Sequence, residues 1–142
     1  MKKVVIYTDG ACSGNPGKGG WGAVLIYMGK EKELSGVAEN TTNNQMELTA
    51  VVESLKMLKE ECEVELFSDS AYVVNAFKQD WISGWLKNDW RNSQKKPVAN
   101  RELWEELIAL TKKHKVNFNK VAGHSGDKYN EICDKLATKE LR

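Results

Sequence analysis

Four acidic residues carry the chemistry open to this sequence: Asp9, Glu47, Asp69 and Asp134. Asp9 closes the apolar run Val4-Val5-Ile6-Tyr7-Thr8, and Asp69 closes the strand-like run Val64-Glu65-Leu66-Phe67-Ser68. Glu47 lies near the start of a helical stretch over residues 45–58, and Asp134 lies inside the last helical stretch, residues 130–141. Carboxylates on rigid elements, once brought together, form a hard-oxygen cage suited to Mg²⁺ or Mn²⁺. Two such ions about 3.5–4 Å apart clamp the attacking and leaving oxygens of an in-line phosphoryl displacement. The chain has 20 Asp and Glu residues, so any four prove nothing by themselves. Their placement has to carry the argument.

That placement depends on the elements around them. Residues 3–8 read as a strand, followed by a glycine-rich loop over residues 10–20. Further β runs follow at 21–28 and 32–38, joined by a turn at Gly29-Lys30, and the short connections predict antiparallel hairpins. Thr42-Asn43-Asn44-Gln45 has the form of a capping box, and Leu48, Val51, Val52, Leu55 and Leu58 continue it as one apolar helical stripe. Glu47 falls at the edge of that stripe, facing the rim of a sheet.

A fourth strand is predicted at 64–68, in a buried central position, and a helix at 70–78. Trp81 to Lys87 and a basic loop through Pro97 come next. A helix marked by Leu103, Trp104, Leu107, Ile108 and Thr111, a strand at 116–122 and a helix at 130–141 complete the chain. Three antiparallel strands followed by α-β-α-α-β-α predict one α/β domain with a five-stranded mixed sheet, its last two strands parallel, flanked by helices. Ligands of such sheets collect at the carboxyl ends of strands, where Asp9 and Asp69 sit.

Composition removes several alternatives. At 142 residues the chain can bury a core without disulfides or a structural metal. No apolar run approaches the roughly 20 residues of a membrane span, and the start Met1-Lys2-Lys3 leads straight into a strand without the pattern of a signal peptide. Cys12, Cys62 and Cys133 are odd in number and lack CxxC spacing, which argues for a reducing compartment, with the cytoplasm as the default. Net charge is only +1, yet Lys87, Arg91, Lys95 and Lys96 face a single nearby acid, Asp89, so a phosphate footprint or a plain solvated loop are both open. The glycine-rich segment lacks GxxxxGK[ST] and GxGxxG, so it reads as a flexible hairpin entry and not as a phosphate cradle.

The motifs, taken in order, resemble those of type 1 ribonuclease H. They are Tyr7-Thr8-Asp9-Gly10-Ala11-Cys12 with Gly14-Asn15-Pro16-Gly17, then Thr41-Thr42-Asn43-Asn44-Gln45-Met46-Glu47-Leu48, then Ser68-Asp69-Ser70, and last Gly123-His124-Ser125-Gly126 with Asn130-Glu131-x-Cys133-Asp134. The resemblance spans about residues 3 to 140. It implies an endonuclease that cuts the RNA strand of RNA/DNA hybrids, leaving 5′-phosphate and 3′-hydroxyl ends. It further implies two divalent ions, Mg²⁺ with Mn²⁺ as alternative, on Asp9, Glu47, Asp69 and Asp134. His124 would shuttle a proton or assist product release, and Asn130, one helical turn before Asp134, would orient that site.

By the same resemblance, Cys12, Asn15, Asn43 and Asn44 contact the RNA strand or lie beside residues that do, reading 2′-hydroxyls. Trp81 and Trp85, with Lys95 and Lys96, would form a protrusion that grips the DNA strand; their alternative role is to pack that protrusion on the body, and Trp90 fits that role better. Thr42 and Asn100 would hold a DNA phosphate. Trp104 reads as core, Glu131 as an exposed helix residue, and His114, among Lys112, Lys113 and Lys115, as an exposed histidine.

Three departures weaken contacts without touching the acids. Asn40 stands where an arginine is common, Ala71 stands where a glutamine is common, and the stretch before Trp81 is one residue longer. Without a separate N-terminal hybrid-binding domain, low processivity is expected. The expected partner is hybrid alone, with no membrane and no obligate protein partner, and the expected state is a monomer. Two other readings compete: a DNA-cutting nuclease of the same broad fold, and a hybrid-binding module without catalysis, which the full set of acids disfavours.

Overall fold

Alternating apolar residues set the register of a five-stranded sheet in the computed structural model, which describes residues 1–122 and 127–141. The strands are β1 (Lys2–Gly14), β2 (Gly17–Tyr27), β3 (Lys30–Thr41), β4 (Cys62–Ser68) and β5 (Lys115–Lys120), in the order β3-β2-β1-β4-β5. β1–β2 and β2–β3 pair antiparallel, and β1–β4 and β4–β5 pair parallel. The helices are α1 (Asn43–Lys56), α2 (Ala71–Lys78), α3 (Trp81–Lys87), α4 (Arg101–Lys113) and α5 (Lys128–Thr138). Between β4 and β5 lie three helices instead of two, because residues 81–87 form a helix of their own, capped by Asp80.

The glycine-rich segment is not a loop. β1 runs on to Gly14 and β2 starts at Gly17, with Gly10 opposite Trp21, Ala11 opposite Gly20 and Cys12 opposite Gly19. Only the turn around Asn15 and Pro16 lies outside the ladder. Backbone pairing between two long strands satisfies the peptide groups of this segment, so glycine content alone does not break it.

α1 and α5 lie on opposite faces of the sheet. Gly10 and Gly22, which are not cross-strand partners, face α1 and α5 respectively. The core between the sheet and α1, α2 and α4 is built from Ile6, Leu48, Val51, Leu55, Leu66, Val73, Trp104 and Leu107, all fully buried. Trp90 is also buried, with the Arg101 guanidinium over its ring.

His114 is buried as well, against the expectation of an exposed side chain. It ends α4 where the chain turns into β5, and its Nδ1 accepts the Cys62 N–H at 3.1 Å, which ties that corner to the first residue of β4. Flanking lysines signal exposure only when the residue does not end an element against a neighbouring strand.

Candidate active site

Strand register brings the first two acids together. Thr8 pairs with Ser68 in parallel as the last pair of the β1–β4 ladder, so Asp9 and Asp69 follow side by side just past it. Asp69 lies directly after β4, but Asp9 does not close its strand as expected, because β1 continues to Gly14 by pairing with β2. The Ser70 N–H donates to Ser68 Oγ at 3.0 Å, turning the chain around Asp69 into α2, whose cap is the Ser70 hydroxyl.

Glu47 arrives because α1 sits directly on β1. A Cβ added at Gly10 would lie 2.5 Å from the Glu47 backbone nitrogen and 2.6 Å from the Met46 carbonyl carbon. Only glycine allows the second turn of α1 to approach this closely.

Asp134 arrives by the same device on the other face. A Cβ at Gly22 would lie 2.5 Å from Leu136 Cβ and 2.6 Å from the Cys133 carbonyl oxygen, so α5 also rests on bare backbone. Asn130, one turn earlier, is buried, and its N–H donates to the capping carboxylate of Asp127.

Carboxylate oxygens of Asp9, Glu47 and Asp69 lie within 4.8 Å of one another. Asp134 stands outside this trio but lines the same crevice, about 410 Å³ in volume, with Gly10, Asn43, Asn44, Ser70 and Tyr72. Burial, followed by the charges of Asp69 and Asp134, pushes the Asp9 carboxyl up to about 8, against the help of the Gly10 N–H at 2.9 Å. Burial and the nearby Asp9 and Asp69 also raise Glu47 well above the ordinary carboxylate range. Glu47 Oε1 is buried without a hydrogen-bond partner among the described residues.

Crowded, desolvated carboxylates with an unspent acceptor oxygen are costly for a folded protein. A divalent cation would relieve both the crowding and the unspent acceptor, and all-oxygen donors are the type that Mg²⁺ and Mn²⁺ take. The residues present therefore fit such ions.

Of the polar residues singled out from sequence, Asn43 and Asn44 line the crevice. At the hairpin turn, Asn15 Oδ1 accepts the Asn43 N–H at 3.1 Å, tying the β1–β2 turn to the start of α1. Asn43 and Asn44 are exposed on the first turn of α1, over the acids. Cys12 is half-buried on β1, and its thiol donates to the Thr41 carbonyl.

Thr42 caps α1 by accepting the Gln45 N–H at 3.2 Å, but the reciprocal half of the capping box does not form. The Gln45 side chain turns outward to Thr41 and Asn100 instead. Thr42 and Asn100, distant in sequence, thus meet through Gln45. Sequence reasoning missed Tyr72, which lines the crevice, and the Gln45 bond to Asn100. Gln45 was legible only as half of a cap, and Tyr72 only by standing three residues after Asp69.

Away from the acids, Trp81 and Trp85 line a second groove of about 380 Å³ with Gly84, Asn88, Arg91 and Asn92. Trp85 does double duty, for its ring meets Trp104 edge-on at 5.1 Å and Trp90 at 5.9 Å. Lys95 and Lys96 are exposed on the following loop, which Asn92 Oδ1 holds by accepting the Gln94 and Lys96 N–H groups. His124 lies outside the described residues.

The fold and the acid crevice define a nuclease class, and comparison with known proteins agrees. The family model described as RNase H matches residues 1–142. A ribonuclease H of Acetivibrio thermocellus is 61% identical over 142 residues, covering all of this chain and 97% of that protein. Among solved structures, LC9-RNase H1, described as a type 1 RNase H with the type 2 active-site motif, superposes with a TM-score of 0.87 at 27% identity over 98% of this chain and 72% of that one. LC11-RNase H1, solved in complex with an RNA/DNA hybrid, shares the fold with a TM-score of 0.71 at 24% identity, over 98% of this chain and 99% of that one. The chain belongs to the ribonuclease H family. It is accordingly an endonuclease, a hydrolase of phosphodiester bonds in RNA.

Proposed function

We propose that residues 1–142 form a catalytic domain that cuts the RNA strand of RNA/DNA hybrids with the help of two Mg²⁺ ions, Mn²⁺ being the alternative, and leaves 5′-phosphate and 3′-hydroxyl ends. The observation that carries this reading is the meeting of three carboxylates, from β1, α1 and the residue after β4, within 4.8 Å in a polar crevice. When bound, the ion pair would supply a water of lowered pKa and neutralise charge on the leaving 3′ oxygen.

The chain's own residues do the rest. Asp9, Glu47 and Asp69 hold the cations from within the crevice, and Asp134 closes the set from α5. Because Asp9 keeps its proton up to about pH 8 and Glu47 is raised too, cation binding has to displace protons and tightens as pH rises. Asn43 and Asn44, with Cys12 and Asn15 behind them, face the RNA strand and read its 2′-hydroxyls. Trp81, Trp85, Lys95 and Lys96 take the DNA strand across the second groove, and Thr42 and Asn100 take one of its phosphates. His124 moves a proton at the leaving product, and Asn130 steadies the α5 turn that bears Asp134. The protein acts as a cytoplasmic monomer without an obligate partner. Among the described residues, no helix is long and apolar enough to cross a membrane.

The test is an end-labelled RNA/DNA hybrid incubated with the protein, with and without Mg²⁺, beside double-stranded RNA and double-stranded DNA. Metal-dependent cleavage confined to the hybrid's RNA strand is expected, with 5′-phosphate ends on the fragments. Cleavage of the DNA duplex, or tight hybrid binding without cleavage, overturns the reading.

A further inference from the structure

Asn100 occupies the N-cap of α4, the position where asparagine ordinarily accepts an N–H from its own first turn. Here it does not. Its backbone is left-handed, at φ 62°, and its side chain makes no bond to α4. Instead, Asn100 Oδ1 accepts from Gln45 Nε2 at 3.2 Å, and Asn100 Nδ2 donates to the Tyr72 hydroxyl at 3.1 Å.

Both partners are themselves fixed. Gln45 Oε1 accepts from the Thr41 hydroxyl at 2.8 Å, and the Tyr72 oxygen also accepts from Trp104 Nε1, deep in the core, at 3.0 Å. The ring of Tyr72 packs on Trp104 as well. A residue that gives up a helix cap to be held from two sides, by groups anchored in α1 and the core, is being aimed. The cap it gives up leaves N–H groups of the α4 first turn open at the same corner, an arrangement that favours an anion.

We propose that Gln45 and Tyr72 are positioning residues that clamp the Asn100 amide off its own helix and aim it at one backbone phosphate of the DNA strand. This rests on the reading above in which Thr42 and Asn100 meet that phosphate. Gln45 joins the two halves of the contact, because its N–H is bound by Thr42 and its side chain by Asn100. Tyr72 also lines the acid crevice, so the same clamp links the phosphate contact to the cutting site across α2.

The experiment is a scan of hybrids that each carry a single uncharged methylphosphonate at a different position of the DNA strand, with kcat and KM measured for the wild type, Gln45→Met and Tyr72→Phe. One sensitive position is expected in the wild type, where removing the charge raises KM about tenfold, the scale of one hydrogen bond to a charged group. In Gln45→Met, KM for the unmodified hybrid is expected to rise about tenfold with little change in kcat, and the penalty at the sensitive position to vanish. Tyr72→Phe, assayed well below its melting temperature, is expected to lose the same penalty, so the test survives if one variant folds poorly. A variant that folds, binds more weakly and keeps the full penalty at that position overturns the clamp while leaving the phosphate contact standing. A flat scan in the wild type overturns the phosphate contact and the clamp together.

Discussion

Replacing Asp9 by asparagine is expected to abolish cleavage and, in the same molecule, to stabilise the metal-free fold. The Asp9 carboxyl is pushed from its ordinary 3.8 up to about 8, by burial first and then by the charges of Asp69 and Asp134. A carboxyl raised on folding supports the folded state below about pH 4, and that support is lost as pH climbs toward 8. Through this window the folded chain holds a proton that the unfolded chain has released, so stability falls by up to about 1.4 kcal/mol per pH unit. By pH 7 some three units of this window have been crossed, a cost of roughly 4 kcal/mol at the upper bound. Asparagine removes the charge but keeps a polar group that is only partly satisfied, so recovery of about half, or roughly 2 kcal/mol, is expected.

For a chain of this size that is a rise in melting temperature of about 6 °C. The assay is thermal melting of wild type and Asp9→Asn between pH 5 and 8 in chelator, repeated with Mg²⁺. The gap between the two should widen with pH in chelator. Mg²⁺ should raise the wild-type melting temperature, by about 2.7 kcal/mol in stability at a hundredfold excess over Kd, and should do little for the variant. An Asp9→Asn protein that melts at or below wild type with the same pH slope would refute the crowding argument. One that keeps near-full activity would refute the metal assignment.

Three further outcomes follow from the geometry. Trp85→Ala with Lys95→Ala should raise KM for hybrid more than it lowers kcat; because Trp85 also packs on Trp104 and Trp90, it alone should cost about 3 kcal/mol in a denaturation titration, and an unchanged KM would show that the protrusion does not grip DNA. His114 is held below its ordinary 6.5 by burial and then by Lys113, so its neutral form supports the fold above about pH 6.5 and that support fades as pH falls; His114→Asn, which keeps an acceptor for the Cys62 N–H, should narrow the stability gap between pH 7 and 5.5, and an unaltered gap would contradict this. Gly22→Ala should push α5 off β2 and lower kcat on the order of a hundredfold through misplacement of Asp134, with a lower melting temperature; a variant of unchanged kcat would mean that Asp134 does not depend on this contact.

The parts of this site that were legible in the sequence are those written locally. Asp9 and Asp69 each follow an apolar run, Glu47 sits one turn past a Thr cap, and Trp104 lies in a helical stripe. Each can be placed from its neighbours alone: the structure has Glu47 on α1, Trp104 on α4 and Asp69 directly after β4, whereas Asp9 lies within β1, which cross-strand pairing carries on to Gly14. What could not be read is whatever depends on a partner far along the chain. The burial of His114 is set by its bond to Cys62, on a strand 52 residues earlier. The Gln45 side chain should have closed a capping box by local rules, but the Thr41 hydroxyl and Asn100 offer its amide better partners, and a tertiary contact won over a local one. Asp134 could be assigned to a helix but not to a distance, and in the structure it stands apart from the trio while sharing its crevice.

The glycines show most clearly why spacing alone falls short. A run containing Gly10, Gly14, Gly17, Gly19 and Gly20 reads as a loop because glycine weakens isolated strands. In the fold, long-range packing reverses that meaning. A side chain at Gly10 would strike α1 at Glu47 itself, and one at Gly22 would strike α5 on either side of Asp134, at Cys133 and Leu136. The sheet thus has bare backbone at the two points where a helix must come within van der Waals contact to deliver an acid. In the proposed reaction the acids would supply the chemistry, but the strand glycines set how near those acids can approach, and a change of one methyl group there should act on cleavage as surely as a change of charge.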